Sequence, residues 1–418
     1  MDKLIIKGNK KLKGEVEISG SKNAALPILT SSILAEGKNI FKRIPELRDI
    51  ATMGKLLVNL GADFSFDKGT VIIDSSSICN FEAPYDLVKT MRASVLVLGP
   101  LLAKYGRAKV SLPGGCAIGQ RPINLHLIGL EKMGASIKLE SGYVIAKTGR
   151  LTGASIYFDI PSVTGTENIM MAATLAKGTT VIENSAREPE IVDLANCLIS
   201  MGANIRGAGE GIIEIEGVDS LHPAIDYEII PDRIEAGTFM TIAAITGSNL
   251  LLKNCRSEHL DAVISKLKDI GISLDLTEKG LRIMCKETPS SVDIKTMPYP
   301  GFPTDMQAQF MALMSIARGT SIIRETIFEN RFMHVAELRR MGADIAIEGG
   351  TATIRGVDKL RGAPVMATDL RASASLVVAA LAAKGQSTIH RIYHLDRGYE
   401  RIDEKLRKLG ADIQRISS

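Results

Sequence analysis

The chain has 418 residues, 51 Lys and Arg against 47 Asp and Glu, and a formal net charge of +4. That near balance, the absence of a basic block and an aromatic content of 4% without tryptophan argue against a nucleic-acid groove, a base-stacking surface or a membrane-surface patch. With 45% hydrophobic and 23% charged residues the composition is that of a globular protein, and the length passes the ~250–300 residues at which single cores stop growing, so at least two domains are expected.

The opening MDKLIIKGNKKLKG lacks the apolar core and cleavage site of a signal peptide. Apolar runs such as SVLVLGPLLA, from Ser94, fall far short of a ~18-residue span, so a cytoplasmic location is expected. The five cysteines, Cys79, Cys116, Cys197, Cys255 and Cys285, are odd in number and form no CxxC pair, which predicts reduced thiols rather than disulfides or a zinc knuckle.

One unit recurs along the chain. VNLGADF, EKMGASI, ISMGANI, KDIGISL, RRMGADI and RKLGADI place glycines at 61, 134, 202, 271, 342 and 410, with gaps of 73, 68, 69, 71 and 68. AEGKNIF, KYGRAKV, AKGTTVI, ITGSNLL, ARGTSII and AKGQSTI place a second set at 37, 106, 178, 247, 319 and 385. The chain therefore reads as six repeats of about 70 residues.

Each repeat begins with a helix apolar on nearly every side, as in ASVLVLGPLLA, MTIAAIT and SASLVVAALAA, which has to be buried all round. A glycine closes it, and a β-branched strand such as TTVIEN or TSIIRET follows. An amphipathic helix comes next, with Ile191, Leu194, Ala195, Leu198 and Met201 on one face of one copy and Leu260, Val263, Ile264, Leu267 and Ile270 on another. Alternating strands end the repeat. Gly207, Gly209 and Gly211 in ANIRGAGEGIIEIEG mark a hairpin and not a dinucleotide loop, because no helix follows them. Six such units divide into three and three, with the break near HPAIDYEIIPD, residues 222–232.

The starts of the buried helices read GSKNAALP, TMRASVLV, TGTENIMM, PDRIEAGTF, PTDMQAQF and TDLRASAS, and four carry a cation: Lys22, Arg92, Arg233 and Arg371. A cation there opposes the helix dipole by ~0.3–1 kcal/mol, so something must compensate. Two arrangements answer this. Each base pairs with a nearby acid, Asp369 with Arg371 and Asp232 with Arg233, or the helix N-termini and their cations gather around an anion. Asp305 in FPTDMQAQF is either a helix cap or a base. Cys116, in SLPGGCAIGQRP, is either a small packing residue in a turn or a reactive thiol on a mobile loop. His390 and His394 lie four apart, but TIHRIYHL reads as a strand with no spaced acid or cysteine, so no metal site is expected.

SGSKNAALPIL, SLPGGCAIGQRP, FPTDMQAQF, IFENRFMHV, ATDLRASASL and YHLDRGYERI together resemble the UDP-N-acetylglucosamine 1-carboxyvinyltransferase family of enolpyruvyl transferases, from Lys22 to Arg401. The resemblance implies an α/β fold, a two-domain inside-out α/β barrel of six repeats, three per domain. One domain would span 22–229 and carry the Cys116 lid, and the other would comprise 1–21 and 230–418. The implied reaction moves the enolpyruvyl group of phosphoenolpyruvate to the 3-hydroxyl of UDP-N-acetylglucosamine and releases phosphate, the first committed step of peptidoglycan synthesis, with no cofactor.

By the same resemblance, Lys22, Arg92, Arg121 and Arg397 bind phosphoenolpyruvate, Asp305 takes the proton of the sugar hydroxyl, and Cys116 is the acid at C3 and assists product release. Asn23, Asp369 and Arg371 belong to the catalytic surroundings, Asn23 on the substrate side. Arg121, Pro122, Ile123, Asn124 and Leu125 are implied around the uracil, Ser162, Val163 and Thr164 near the diphosphate, and Ile327 beside Asp305. Some relatives carry aspartate in place of Asn124 and lysine in place of Ile160, which implies an altered uracil contact and one diphosphate charge contact fewer. Cys116 is also the implied site of alkylation by fosfomycin.

Three other readings compete. A 5-enolpyruvylshikimate-3-phosphate synthase shares fold and phosphoenolpyruvate but has no cysteine lid. An RNA 3'-phosphate cyclase would use His394 as its nucleophile. A non-enzymatic repeat scaffold leaves the basic helix starts unexplained.

Overall fold

The structure, a computed structural model, describes residues 2–112, 123–285 and 287–417. Each repeat leads with a buried helix: Lys22–Ser31, the 3₁₀ turn Arg92–Val97 continued by Leu98–Tyr105, Val163–Ala173, Arg233–Ile245, the 3₁₀ turn Thr304–Met306 continued by Gln307–Met314, and Leu370–Ala382. Burial is nearly complete: in the last of these every residue from Arg371 to Leu381 is buried. The polar residues such helices contain bond to the preceding turn, as Thr30 does to the Leu26 carbonyl (2.8 Å) and Thr241 to that of Gly237 (2.8 Å).

The amphipathic helices are Arg48–Leu60, Asn124–Lys132, Pro189–Ser200, Asp261–Asp269, Val335–Arg340 and Ile402–Lys408. All twelve glycines of the two repeat series have positive φ, from 62° to 110°, where a side chain would be strained. They recur at or shortly after the end of a helix in every repeat.

Six four-stranded sheets share one order. In a representative sheet Ser155–Tyr157 pairs parallel with Thr179–Glu183, which pairs antiparallel with Ile212–Glu216, which pairs antiparallel with Asn204–Arg206. The last two strands flank the glycine cluster and form the expected hairpin. The register sets Ile182 opposite Ile213 and Ile205 opposite Ile215, so one face of the sheet points into the core. In the sixth sheet the N-terminal strand Lys3–Lys7 fills the place the order requires, between Gln386–His390 and Asp412–Ile416.

The described residues form two compact units, one within Met1–Ser19 and Pro231–Ser418, the other between Gly20 and Ile230. Each has its own apolar core, built around Ile28, Leu101 and Met170 in the second unit and Phe239, Phe310 and Val377 in the first. In the second unit Gly99 permits two core helices to meet, since a Cβ there would lie 2.3 Å from Asn168 Oδ1. No helix among the described residues is long and apolar enough to cross a membrane.

TIHRIYHL is not one strand. The strand ends at His390, Arg391 turns left-handed (φ 58°), and Ile392–Arg397 is a 3₁₀ turn. The β-branched alternation misled because the reversal at Arg391 is made without glycine or proline.

Candidate active site

In the unit that contains the C-terminus, Asp305 lies in the 3₁₀ turn Thr304–Met306. It makes no side-chain cap. Arg331 Nη2 donates to its Oδ1 and Arg371 Nη2 to its Oδ2, each at 2.7 Å. Both arginine side chains are 5% exposed. Burial alone raises a carboxyl pKa, but here the charges of Arg371 and Arg331 outweigh it and hold Asp305 well below the usual carboxylate range.

The acids next to the helix-start cations act on the main chain. Asp369 Oδ1 caps its helix, accepting from the backbone N–H groups of Arg371 (2.9 Å) and Ala372 (3.0 Å). Asp232 does the same for Ile234 (2.8 Å) and Glu235 (2.9 Å). With Asp369 on its main chain, the Arg371 guanidinium is directed to Asp305. The Arg233 guanidinium lies 5.6 Å from the centre of the Tyr299 ring.

Glu325, buried, shapes the turn that carries Ile327. It accepts from Thr296 Oγ1 (2.9 Å), Thr304 Oγ1 (2.8 Å) and the N–H groups of Ile327 (2.8 Å) and Phe328 (3.2 Å). Ile327 itself is 37% exposed. Arg397 ends the 3₁₀ turn Ile392–Arg397. His334, fully buried, feels Asp369 and Arg331; burial above all lowers its pKa to about 4. Arg331 Nη1, His334 Nε2 and His394 Nδ1 are buried with no hydrogen-bond partner among the described residues.

In the other unit Lys22 is the first residue of its helix, Asn23 the second, and Ser21 the cap. Lys22 Nζ lies 2.7 Å from Asp49 Oδ2, and both side chains are nearly inaccessible (11% and 4%). Asp49 stands in the first turn of Arg48–Leu60, where a carboxylate is favoured, so it compensates the unfavourable cation at the neighbouring helix start.

Ser162 caps Val163–Ala173, accepting from Gly165 N–H at 3.1 Å, so Ser162, Val163 and Thr164 form a helix N-terminus. Thr164 is tied to the core by a defined chain. Gly99 N–H donates to Asn168 Oδ1 (2.7 Å), which turns Asn168 Nδ2 toward His126 Nδ1 (2.9 Å). His126 must therefore carry its proton on Nε2, facing Thr164 Oγ1 at 3.3 Å. Burial, with the Arg92 charge second, lowers the His126 pKa to about 4, so the ring is neutral. Arg92 begins the 3₁₀ turn Arg92–Val97, and Asn124 and Leu125 begin Asn124–Lys132 just after Ile123. Ile160 is 69% exposed and brings no charge to this helix end.

Cys116, Arg121 and Pro122 lie outside the described residues. Among the described residues no group of three or more His, Cys, Asp and Glu side chains is arranged to hold a metal ion.

Residues 6–406 match the sequence profile of the family described as EPSP synthase (3-phosphoshikimate 1-carboxyvinyltransferase). The chain belongs to the EPSP synthase family. Within it, the relative from Thermodesulfovibrio yellowstonii is 67% identical and that from Geobacter metallireducens 62%, each over all of both chains, and both are named UDP-N-acetylglucosamine 1-carboxyvinyltransferase. Among solved structures, the enolpyruvyl transferase NikO from Streptomyces tendae superimposes with a TM-score of 0.90 at 26% identity, over 100% of this chain and 99% of that one. The EPSP synthase from Acinetobacter baumannii shares the fold, with a TM-score of 0.77 at 21% identity over both full chains.

The first unit brings together Asp305, Arg371, Asp369 and Ile327, and adds Arg331, which sequence reasoning did not single out. Arg331 stands in IFENRFMHV, but nothing in its spacing points to Asp305. Asp49 and His126 were missed for the same reason: each acts through a partner distant in sequence.

Proposed function

We propose that this chain transfers the enolpyruvyl group of phosphoenolpyruvate to the 3-hydroxyl of UDP-N-acetylglucosamine, releasing phosphate, at the first committed step of peptidoglycan synthesis. The observation that carries this is identity of about two thirds, over the whole chain, to a relative bearing the corresponding name. The Asp305 arrangement agrees with it chemically, since the reaction needs a base for the sugar hydroxyl and cations for a phosphate and a carboxylate.

In this reading Lys22, Arg92, Arg121 and Arg397 take the phosphate and carboxylate of phosphoenolpyruvate. Asn23, Asp369 and Arg371 complete the catalytic surroundings. Asp305 accepts the proton of the 3-hydroxyl. Clasped by two guanidiniums it is a weak base; a bound anion that competes for those guanidiniums loosens the clasp and restores its basicity. Cys116 donates a proton to C3 and assists product release, and it is the nucleophile that fosfomycin alkylates.

Ser162, Val163 and Thr164 receive the diphosphate at a helix N-terminus. Because His126 donates to Thr164, the Thr164 hydroxyl proton is left to point at an acceptor beyond it. Pro122, Ile123, Asn124 and Leu125 border the uracil, and Ile327 lies by the sugar.

Phosphate release from phosphoenolpyruvate tests the reading, with UDP-N-acetylglucosamine and shikimate 3-phosphate compared as acceptors. Release that depends on the nucleotide sugar alone is expected. Release with shikimate 3-phosphate, or with neither, refutes it.

A further inference from the structure

Tyr399 is the largest fully buried side chain among the described residues, 2% exposed, and it lies two residues beyond Arg397. Its hydroxyl is not simply accommodated. Arg371 Nη1 approaches it at 3.4 Å, Gln309 Nε2 at 3.2 Å and Thr238 Oγ1 at 2.9 Å.

A phenol oxygen has one proton and two lone pairs. The two nitrogens can only donate, so they take the lone pairs and the phenol proton is directed to Thr238. Thr238 in turn donates to the Ile234 carbonyl at 2.8 Å. Gln309 Nε2 also lies 3.2 Å from Thr238 Oγ1, so the protons of this buried cluster run from Arg371 and Gln309 toward Tyr399 and Thr238 and on into the first turn of Arg233–Ile245.

The chain reaches Asp305 twice. Arg371, with Nη1 on Tyr399, places Nη2 on the Asp305 carboxylate at 2.7 Å. Gln309 Nε2 also lies 2.9 Å from the Asp305 backbone carbonyl. The Arg371 guanidinium further stands 5.6 Å from the centre of the Tyr399 ring.

On its other side Tyr399 belongs to the Arg397 turn, its N–H bonding to the Leu395 carbonyl at 3.0 Å. That turn is pressed onto the start of the Arg371 helix, for a Cβ on Gly398 would come within 2.7 Å of Leu370.

We propose that Tyr399 is a positioning residue for the reaction: its hydroxyl orients the Arg371 guanidinium, and through it the Asp305 carboxylate, while its backbone sets the turn that bears Arg397. The inference rests on the proposed enolpyruvyl transfer. A purely structural tyrosine would owe its burial to the ring alone.

Tyr399→Phe separates the two, because it keeps the ring and removes only the hydroxyl. Steady-state phosphate release is measured with both substrates varied, in wild type and in an Arg371→Lys background that cannot make the same fork. In the wild-type background kcat is expected to fall about tenfold while KM for UDP-N-acetylglucosamine stays within about twofold, as when a group acting in the transition state is misplaced. In the Arg371→Lys background the same change is expected to cost less than about twofold, since the two residues act as one unit.

Unchanged kcat, or an equal loss in both backgrounds, overturns the assignment. Wild-type turnover is the separate control: if wild type releases no phosphate with UDP-N-acetylglucosamine, the proposed function fails and this role fails with it.

Discussion

Arg331 and Asp305, 26 residues apart in the chain, are joined by a 2.7 Å charge-assisted hydrogen bond, and the arginine side chain is almost completely enclosed. Arg331→Gln removes that charge and keeps much of the volume. Asp305 retains Arg371, so the carboxylate is not stranded, and the expected loss is that of one hydrogen bond to a charged group, about 1.5–3 kcal/mol. Urea unfolding at pH 7 measures it. An unchanged unfolding free energy would show that the second guanidinium carries the whole interaction.

The same clasp predicts an acid-sensitive stability. Asp305 is held well below its ordinary pKa of 3.8, so the stability it contributes is complete above that pH. It is lost as pH falls below 3.8 toward the folded value, because the unfolded chain binds the proton first. The stability gap between wild type and Asp305→Asn should be constant from neutral pH down to the ordinary value and narrow below it. Denaturant midpoints across that range check this, and a gap that widens in acid contradicts it.

The repeats were legible because their signal is local. A glycine at or shortly after the end of both the buried and the amphipathic helix of each repeat is visible in the sequence, and all twelve have positive φ. The site was legible only as candidates. Asp305 meets Arg371 across 66 residues, and nothing in either local pattern states that Asp369, two residues from Arg371, caps the main chain instead of pairing with the guanidinium. Likewise Arg391 ends a strand in a conformation that side-chain alternation does not encode. Partnerships set by packing are invisible to periodicity.

His126 gives a second pH window. Burial and Arg92 lower its pKa from 6.5 to about 4, so the folded state resists protonation that the unfolded chain accepts. Stability should be complete above pH 6.5 and decline between 6.5 and 4, by up to about 3 kcal/mol for this residue. His334 contributes a similar decline in the other unit. His126→Gln should remove its own share, flattening the slope of unfolding free energy in that interval. An unaltered slope would mean that His126 titrates normally in the folded protein.

The Lys22–Asp49 ion pair of the Gly20–Ile230 unit is nearly inaccessible. Asp49→Asn leaves a buried ammonium without that carboxylate, and breaking such a pair is expected to cost about 3 kcal/mol. Lys22→Met in the same chain should return part of the loss, since no charge then remains to be compensated. Thermal unfolding of the two single variants and the double variant gives the coupling. Additive losses would show that the two groups do not depend on each other. In the proposed function the double variant stays inactive even where it regains stability, because Lys22 is needed for phosphoenolpyruvate.

Cys116 stands among glycine and proline residues in SLPGGCAIGQRP. If it delivers a proton to C3, the group at 116 needs an exchangeable proton more than it needs sulfur. Cys116→Ser, whose hydroxyl is a far weaker acid, should lose turnover or product release while its unfolding transition stays where it was. Cys116→Asp should keep turnover, because a carboxylic acid can give up a proton, and should escape fosfomycin, because a carboxylate is a poor nucleophile toward an epoxide. Phosphate release and mass spectrometry after fosfomycin treatment test both variants. A Cys116→Ser enzyme with full activity would remove the thiol from the chemistry, and a Cys116→Asp enzyme still alkylated at residue 116 would remove it as the reason for inhibition.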